Sequence, residues 1–187
     1  MEVKKIDYKK ILNKILKKIP SKYRKGVNFE ITSKPLRTSA YYHDNTIYID
    51  ITEFRQRFTS MSNVEELRKK YDSFIVSSSE DFDLKVKDNV DYSELYLLNV
   101  LCHELGHFYL DKLKQIDEKE YDAFLIRAEK LLKSFNSKTI MSYVSYYNDD
   151  DDMSLSPLKN TKILKEKIAE AFRLFILEHK FSNLFKI

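Results

Sequence analysis

The chain has 187 residues, of which 43% are hydrophobic and 33% are charged, so it is long enough to bury one sizeable core. Its single cysteine excludes an intramolecular disulfide framework, and no apolar run approaches the roughly 18 residues that a membrane helix needs. We therefore expect one domain over residues 1–187, with no integral membrane segment. The sequence as given also has no signal peptide, which leaves a cytoplasmic protein and a mature secreted form as alternatives.

The positive charge is concentrated at the N-terminus. Residues 1–19 contain seven lysines against Glu2 and Asp7, a local charge of +5, so the rest of the chain carries −1 of the total of +4. A nucleic-acid-binding protein more often carries its positive field on the folded body. We therefore expect no nucleic-acid partner.

Residues 1–19 also predict a basic amphipathic helix. Pro20 stops it, because proline cannot continue a helix. We interpret it as a helix docked on the domain, with contact to a membrane surface or an acidic partner as the alternative. Its apolar stripe consists of Tyr8, Ile11, Leu12, Ile15, Leu16 and Ile19.

Three short β-rich runs follow, at residues 27–31, 38–42 and 46–51. The last two are joined by His43, Asp44 and Asn45, which fit a tight turn, so they predict a hairpin. We expect a small antiparallel sheet. At the turn, His43 is interpreted as a surface residue rather than a ligand.

Helical patterns cover much of the remaining chain. Residues 53–58 and 63–74 look helical and carry no recognisable chemistry. Asp117 with Glu120 has the spacing of a capping box for a core helix that runs to about Phe135. The predicted fold class is therefore α+β and mostly helical.

The pattern H-E-x-x-H occurs once, as His103-Glu104-Leu105-Gly106-His107. On a helix, residues four apart lie about 40° apart around the axis, so the two histidines can bind one metal ion. Glu104 lies about 100° from His103 and can take the proton of a metal-bound water. The pattern therefore indicates the first half of a zinc peptidase site.

The surrounding sequence predicts the helix that this pattern requires. Asp91 and Glu94 have capping-box spacing, and a helix is expected over about residues 92–114. Gly106 suggests close approach of another backbone, with a neutral surface glycine as the alternative, because a glycine inside a helix costs about 1 kcal/mol relative to alanine. The apolar residues at helical intervals are Leu95, Leu98, Cys102, Leu105 and Tyr109, of which Cys102 is interpreted as a small buried residue.

A catalytic zinc site needs a third protein ligand. A third histidine in the metzincin pattern is excluded, because Leu110 and Leu113 stand where that pattern has glycine and histidine. Glu166 and Glu170 lie four apart on one face of a predicted helix over residues 161–179. A metal ion for one carboxylate and the N–H of a ligating histidine for the other would satisfy both. The alternative is two solvated glutamates that pair with Lys162 or Lys167.

These motifs resemble the gluzincin metallopeptidases, in particular the group of anthrax lethal factor and Pro-Pro endopeptidase. The likeness covers about residues 95–178 and includes Glu-x-x-Ala-Glu-Ala-Phe-Arg-Leu from position 166. It implies a zincin-like domain in which Glu166 is the zinc ligand and Glu170 supports a ligating histidine. It also implies an oxyanion-stabilising tyrosine after a serine, for which Tyr143 is the candidate and Tyr146 and Tyr147 are alternatives.

We therefore expect a zinc-dependent endopeptidase that binds one Zn²⁺ through His103, His107 and Glu166 and uses Glu104 as the general base. Peptidases of this type hold an extended substrate against an edge strand, so the hairpin segment Ala40, Tyr41 and Tyr42 is the candidate substrate-binding edge for a protein or peptide. Asp149–Asp152 are interpreted as a solvated loop. The alternatives are a non-catalytic regulatory or binding protein on a zincin fold, and an intracellular peptidase that cleaves a repressor.

Overall fold

A computed structural model describes residues 7–34, 36, 38–50, 92–135 and 157–185 of the chain. Within these ranges the architecture is α+β and mostly helical with one small sheet, which confirms the predicted class at this level. The predicted helices at 53–58 and 63–74 and the residues Tyr143 and Asp149–Asp152 lie outside the described residues. In chain order the elements are α1 (Tyr8–Leu16), α2 (Ser21–Arg24), β1 (Asn28–Thr32), β2 (Ala40–His43), β3 (Thr46–Asp50), α3 (Tyr92–Ile116), α4 (Glu118–Leu131) and α5 (Pro157–Glu178).

The basic helix α1 is docked on α3, as the sequence analysis expects. Leu12 and Ile15 are buried, and the Lys14 and Lys18 ammonium groups both bind the buried carboxylate of Glu94. The regular helix ends at Leu16, three residues before the predicted end. A lysine-rich sequence can therefore face the body of the protein, because the two ammonium groups neutralise one carboxylate there.

The sheet has the strand order β1-β3-β2, which makes β2 an edge strand. β2 and β3 form the predicted antiparallel hairpin. Its turn places Asp44 and Asn45 at φ values of 46° and 57°, as a tight hairpin turn with two left-handed residues requires. The predicted hairpin is thus confirmed.

The expectation of a purely antiparallel sheet is wrong for β1, which pairs parallel with β3. Thr32 at the end of β1 and Ala40 at the start of β2 pair with Asp50 and Ile49 at the end of β3. The connection between β1 and β2 therefore passes the end of β3 and brings the chain to its other side. Asp50 holds this crossover, because its carboxylate accepts a hydrogen bond from the backbone N–H of Leu36 at 2.8 Å.

Helices α3 and α5 pack against each other at the centre of the protein. A Cβ atom at Gly106 of α3 would lie 2.5 Å from the Cα of Ala169 on α5 and 3.0 Å from its carbonyl oxygen. The prediction that Gly106 admits another backbone is confirmed. Cys102, four residues before Gly106, is fully buried, as expected.

Helix α4 packs against both α3 and α5. Asp117 caps it by accepting hydrogen bonds from the N–H groups of Lys119 and Glu120, at 3.0 and 3.1 Å. The helix ends at Leu131, before the predicted Phe135. None of the described helices is long and apolar enough to cross a membrane. Among the described residues, the largest fully buried apolar side chains are Ile15, Ile19, Ile47, Ile49, Leu101, Leu105, Phe124, Phe172 and Phe185.

Candidate metal centre

The candidate site lies between the facing sides of α3 and α5. Helical spacing brings His103 and His107 to the same side of α3, and Glu166 and Glu170 to the same side of α5. Gly106 and Ala169 stand between these pairs in sequence and touch, so the two faces are opposed at close range. The packing of two backbones thereby sets the separation of the functional side chains.

His103, His107 and Glu166 converge on one point. One ligand atom from each residue lies within 4.8 Å of the others. The Nε2 atoms of His103 and His107 lie 3.2 and 3.4 Å from the carboxylate oxygens of Glu166. Zinc bonds of about 2.0–2.2 Å in a tetrahedral arrangement require donor atoms about 3.3 Å apart. Two imidazoles and one carboxylate are also a ligand set of catalytic zinc sites, so the residues fit Zn²⁺.

Glu170 holds the other nitrogen of His103. Its Oε2 lies 3.2 Å from Nδ1, and because a carboxylate only accepts, the proton belongs on Nδ1. Nε2 of His103 thereby faces Glu166. Glu170 is 0% exposed and Glu166 is 9% exposed, so the alternative of two solvated surface glutamates is wrong. Lys167 donates instead to the carbonyl oxygen of Leu132, at 3.2 Å.

The two carboxylates change the proton affinity of His103. Burial alone would lower its pKa, but the hydrogen bonds to Glu166 and Glu170 outweigh burial and raise the pKa to about 10. For Glu166, burial favours the neutral acid, yet contacts with His103 and His107 hold its pKa well below the usual range. A proton held this firmly must leave Nε2 before that nitrogen can bind a metal ion.

Glu104 points towards the edge strand. Its Oε2 accepts a hydrogen bond from the backbone N–H of Tyr42 in β2, at 2.9 Å. Burial raises the pKa of Glu104, an effect that the neighbouring His107 and His103 oppose. The predicted general base therefore lies between the face of α3 that carries both histidines and the predicted substrate-binding strand.

A cavity of about 470 Å³ opens between β2 and the two site helices. Ala40, Tyr41 and Tyr42 line one side of it, and His103 and Glu104 line the other. The hairpin segment singled out from the sequence therefore borders the same cavity as the HExxH residues. The structure brings together every predicted site residue that it describes.

The interpretation of His43 as a surface residue agrees with its position. His43 is exposed at the end of β2 and borders the cavity, but it is not among the residues that cluster as metal ligands in the described part of the chain. Tyr143 and its alternatives Tyr146 and Tyr147 lie outside the described residues.

Sequence analysis missed two buried polar residues beside the site. The Arg173 guanidinium donates one hydrogen bond to Glu170 at 2.6 Å and another to the side-chain oxygen of Asn99. Spacing places Asn99 near the side of α3 that carries His103 and Arg173 near the side of α5 that carries Glu170, because they lie four and three residues away, but it does not show that the two residues pair. The backbone N–H of Tyr42 had no sequence signal, since it acts through strand position alone.

No protein-family model, no curated protein and no solved structure matches this chain. The functional interpretation therefore depends on the geometry of the site and on the motifs that its residues form.

Proposed function

We propose that this protein is a zinc-dependent endopeptidase with a zincin-like, gluzincin-type site. The observation that carries the proposal is the convergence of His103, His107 and Glu166 on one point beside Glu104. An HExxH helix and a glutamate about 60 positions later in the chain contribute to this one cluster, so the sequence motif and the spatial arrangement support the same chemistry.

His103, His107 and Glu166 would hold the ion. When bound, Zn²⁺ supplies a water of lowered pKa and a Lewis acid for the peptide carbonyl. The remaining site residues then orient these ligands: Glu170 keeps the Nδ1 proton of His103 in place, so that Nε2 is the nitrogen left to bind.

Glu104 is the proposed general base. Its carboxylate is on the helix that carries both histidines and borders the cavity in which a peptide bond would be cleaved. It would take a proton from the attacking water and deliver it to the leaving amine, a role that contributes about 10²–10⁴-fold to rate. The hydrogen bond from Tyr42 N–H fixes the carboxylate towards the edge strand.

The edge strand β2 is the proposed docking site for an extended substrate. In an antiparallel pair, the backbone groups of alternate residues point towards the partner strand. Ser39 accepts a hydrogen bond from Asp50 N–H, so Tyr41 shares its direction towards β3, whereas Ala40 and Tyr42 turn their backbone groups outward. An added substrate strand would pair with the remaining outward groups, the N–H of Ala40 and the carbonyl oxygens of Ala40 and Tyr42, because the Tyr42 N–H already binds Glu104.

Tyr143 completes the proposed mechanism as the donor that stabilises the oxyanion, with Tyr146 and Tyr147 as alternatives. This role follows only from the resemblance to gluzincins. Donors of this type are worth about 3 kcal/mol of transition-state stabilisation. Replacing each of the three tyrosines by phenylalanine and measuring kcat separates them, because only the oxyanion donor is expected to lower kcat strongly.

Cleavage of a diverse peptide library, with and without a chelator, tests the proposed function. We expect cleavage by the zinc-loaded protein, its loss with the chelator and its return with added Zn²⁺. Glu104→Gln should bind zinc as the parent does and cleave about 10²–10⁴-fold more slowly. Glu118→Gln, on the exposed side of α4, is the matched control and should cleave normally. A zinc content near zero in the purified protein would contradict the proposal and favour the non-catalytic alternative.

A further inference from the structure

A buried polar chain connects the ligating histidine to the interior of the protein. Asn99, Glu170 and Arg173 are each 0% exposed. The two terminal nitrogens of the Arg173 guanidinium bind the side-chain oxygen of Asn99 on α3 and Oε1 of Glu170 on α5. The other oxygen of Glu170 faces Nδ1 of His103. We refer to Asn99, Arg173 and Glu170 as the clamp.

The clamp does not stabilise a core as efficiently as apolar side chains would. Removing an arginine and a glutamate from water costs several kcal/mol per ion, and an apolar pair of similar volume is often at least as stable. A buried pair of this kind therefore suggests a benefit other than stability. Here the benefit is orientation, because the planar guanidinium holds two partners in fixed directions.

The two carboxylate oxygens of Glu170 bind different partners. Oε1 lies 2.6 Å from the guanidinium and Oε2 lies 3.2 Å from the imidazole of His103. With Oε1 held, the carboxylate is kept on the Nδ1 side of the imidazole, away from the point at which Glu166 meets the two Nε2 atoms. The contact with Arg173 thereby distinguishes Glu170, which faces Nδ1 of His103, from Glu166, which lies one helical turn away and faces the two Nε2 atoms.

We propose that Arg173, held by Asn99, is a positioning residue of the metal centre: it fixes Glu170, which fixes the ring of His103 so that Glu166 is the carboxylate that binds the metal ion. This inference deepens the proposed function and rests on the zinc site that it assigns. Arg173 neither belongs to the cluster of His103, His107 and Glu166 nor lines the cavity beside it. Its effect is on metal affinity and on the geometry of the ligands.

The test compares the zinc dissociation constants of the full-length parent and variants, measured by competition with a chromogenic chelator and without any peptide. Arg173→Met should raise the dissociation constant about 10- to 100-fold, the range seen when groups that orient ligating histidines are removed. Arg173→Lys keeps a charge but offers one point donor, so it should bind zinc more weakly than the parent and more tightly than Arg173→Met. Asn99→Leu should also weaken binding.

Two further variants separate positioning from folding. Ile176→Ala removes buried apolar volume from the same helix and leaves all three clamp residues in place, so it should lower Tm and leave zinc affinity unchanged. In the Glu170→Gln background, Arg173→Met leaves no unpaired buried ion and should weaken zinc binding no further than Glu170→Gln alone, because Arg173 acts through Glu170.

The visible spectrum of the Co²⁺-substituted protein gives an independent readout, because band position and intensity follow ligand geometry. Arg173→Met should shift the spectrum, and Ile176→Ala should not. Parent-like zinc affinity and a parent-like spectrum in Arg173→Met would overturn the inference while leaving the proposed function intact. A parent that binds zinc and never cleaves, with the clamp variants still weakened, would overturn the proposed function alone. A parent that binds neither ion would overturn both.

Discussion

Gly106 on α3 and Ala169 on α5 are in backbone contact: a Cβ atom at Gly106 would lie 2.5 Å from the Cα of Ala169. Gly106 falls between His103 and His107, and Ala169 falls between Glu166 and Glu170. The two backbones therefore meet between the two pairs of site residues. The missing side chain of Gly106 lets these four residues come together, although glycine weakens its own helix.

Gly106→Ala should separate the two helices. Alanine gains about 1 kcal/mol of helix propensity, but its methyl group would overlap a backbone atom, which cannot move without shifting α5. We expect a net loss of about 1–3 kcal/mol in the free energy of unfolding, measured in urea, and a weaker zinc affinity.

Two controls accompany this variant. Ala169→Gly removes the methyl group at 3.1 Å but leaves the Cα at 2.5 Å, so it should not rescue Gly106→Ala. Ala123→Gly on α4 should cost about 1 kcal/mol of stability with no change in zinc affinity. Full rescue by Ala169→Gly would show that the side chain, rather than the backbone, is the obstacle.

Much of the site could be predicted from the sequence, because helical spacing determines the relative directions of its side chains. The positions 103, 104 and 107 and the pair 166 and 170 each share one helix, so their relative directions follow from 3.6 residues per turn. Gly106 predicts that another segment of backbone approaches α3 closely, and its contact with Ala169 of α5 confirms this prediction. The zinc and the activity themselves remain predictions.

The remaining features depend on tertiary contacts that local patterns do not encode. Whether β1 pairs parallel or antiparallel with β3 depends on the course of the chain past Asp50, which binds Leu36. The strand pattern in the sequence gives only the position of each strand. Arg173 lies on a helix rich in charged residues, where an arginine is ordinarily solvated. Its burial depends on Asn99 of the other helix, a pairing visible only once α3 and α5 are packed.

Replacing Glu166 should abolish the proposed zinc binding without unfolding the protein. Glu166→Gln replaces the proposed charged ligand by an amide of the same shape, so we expect zinc binding at one equivalent to fall below detection in equilibrium dialysis. The matched control is Glu178→Gln on the same helix, whose carboxylate pairs with Lys180 at 3.0 Å and is distant in sequence from the cluster. Parent-like zinc content in Glu166→Gln would exclude that residue as a ligand.

The docking of α1 should weaken in acid. Burial raises the pKa of Glu94, but hydrogen bonds from Lys14 and Lys18 outweigh burial, and the net pKa lies below the usual value. A depressed folded-state pKa contributes stability that is present above the unfolded value of 4.5 and is lost as pH falls through the folded value. Because both lysines are largely exposed, solvent screening limits the contribution to about 1 kcal/mol.

Glu94→Gln tests this pairing. Thermal unfolding from pH 7 to pH 3 should show a smaller acid-induced fall in Tm for Glu94→Gln than for the parent, with the difference concentrated below about pH 4.5. Added salt should reduce the difference, since the lysines face solvent. Glu118→Gln, an exposed carboxylate at the start of α4, serves as the control. Identical acid profiles for Glu94→Gln and the parent would contradict the role of the ion pairs.

The outward direction of the Tyr42 N–H, which binds Glu104, can be tested with proline variants of β2. Proline lacks the N–H that binds Glu104, yet it is tolerated on an edge strand where that N–H faces away from the sheet. Tyr42→Pro should therefore keep zinc and most stability while lowering cleavage, whereas Tyr42→Ala, which loses the ring but keeps the N–H, should cleave faster than Tyr42→Pro. Tyr41→Pro should unfold the hairpin instead, because its N–H points to β3. Equal cleavage by the Tyr42 variants would mean that the N–H is dispensable for Glu104, and a stable Tyr41→Pro would show that the backbone directions of β2 are reversed.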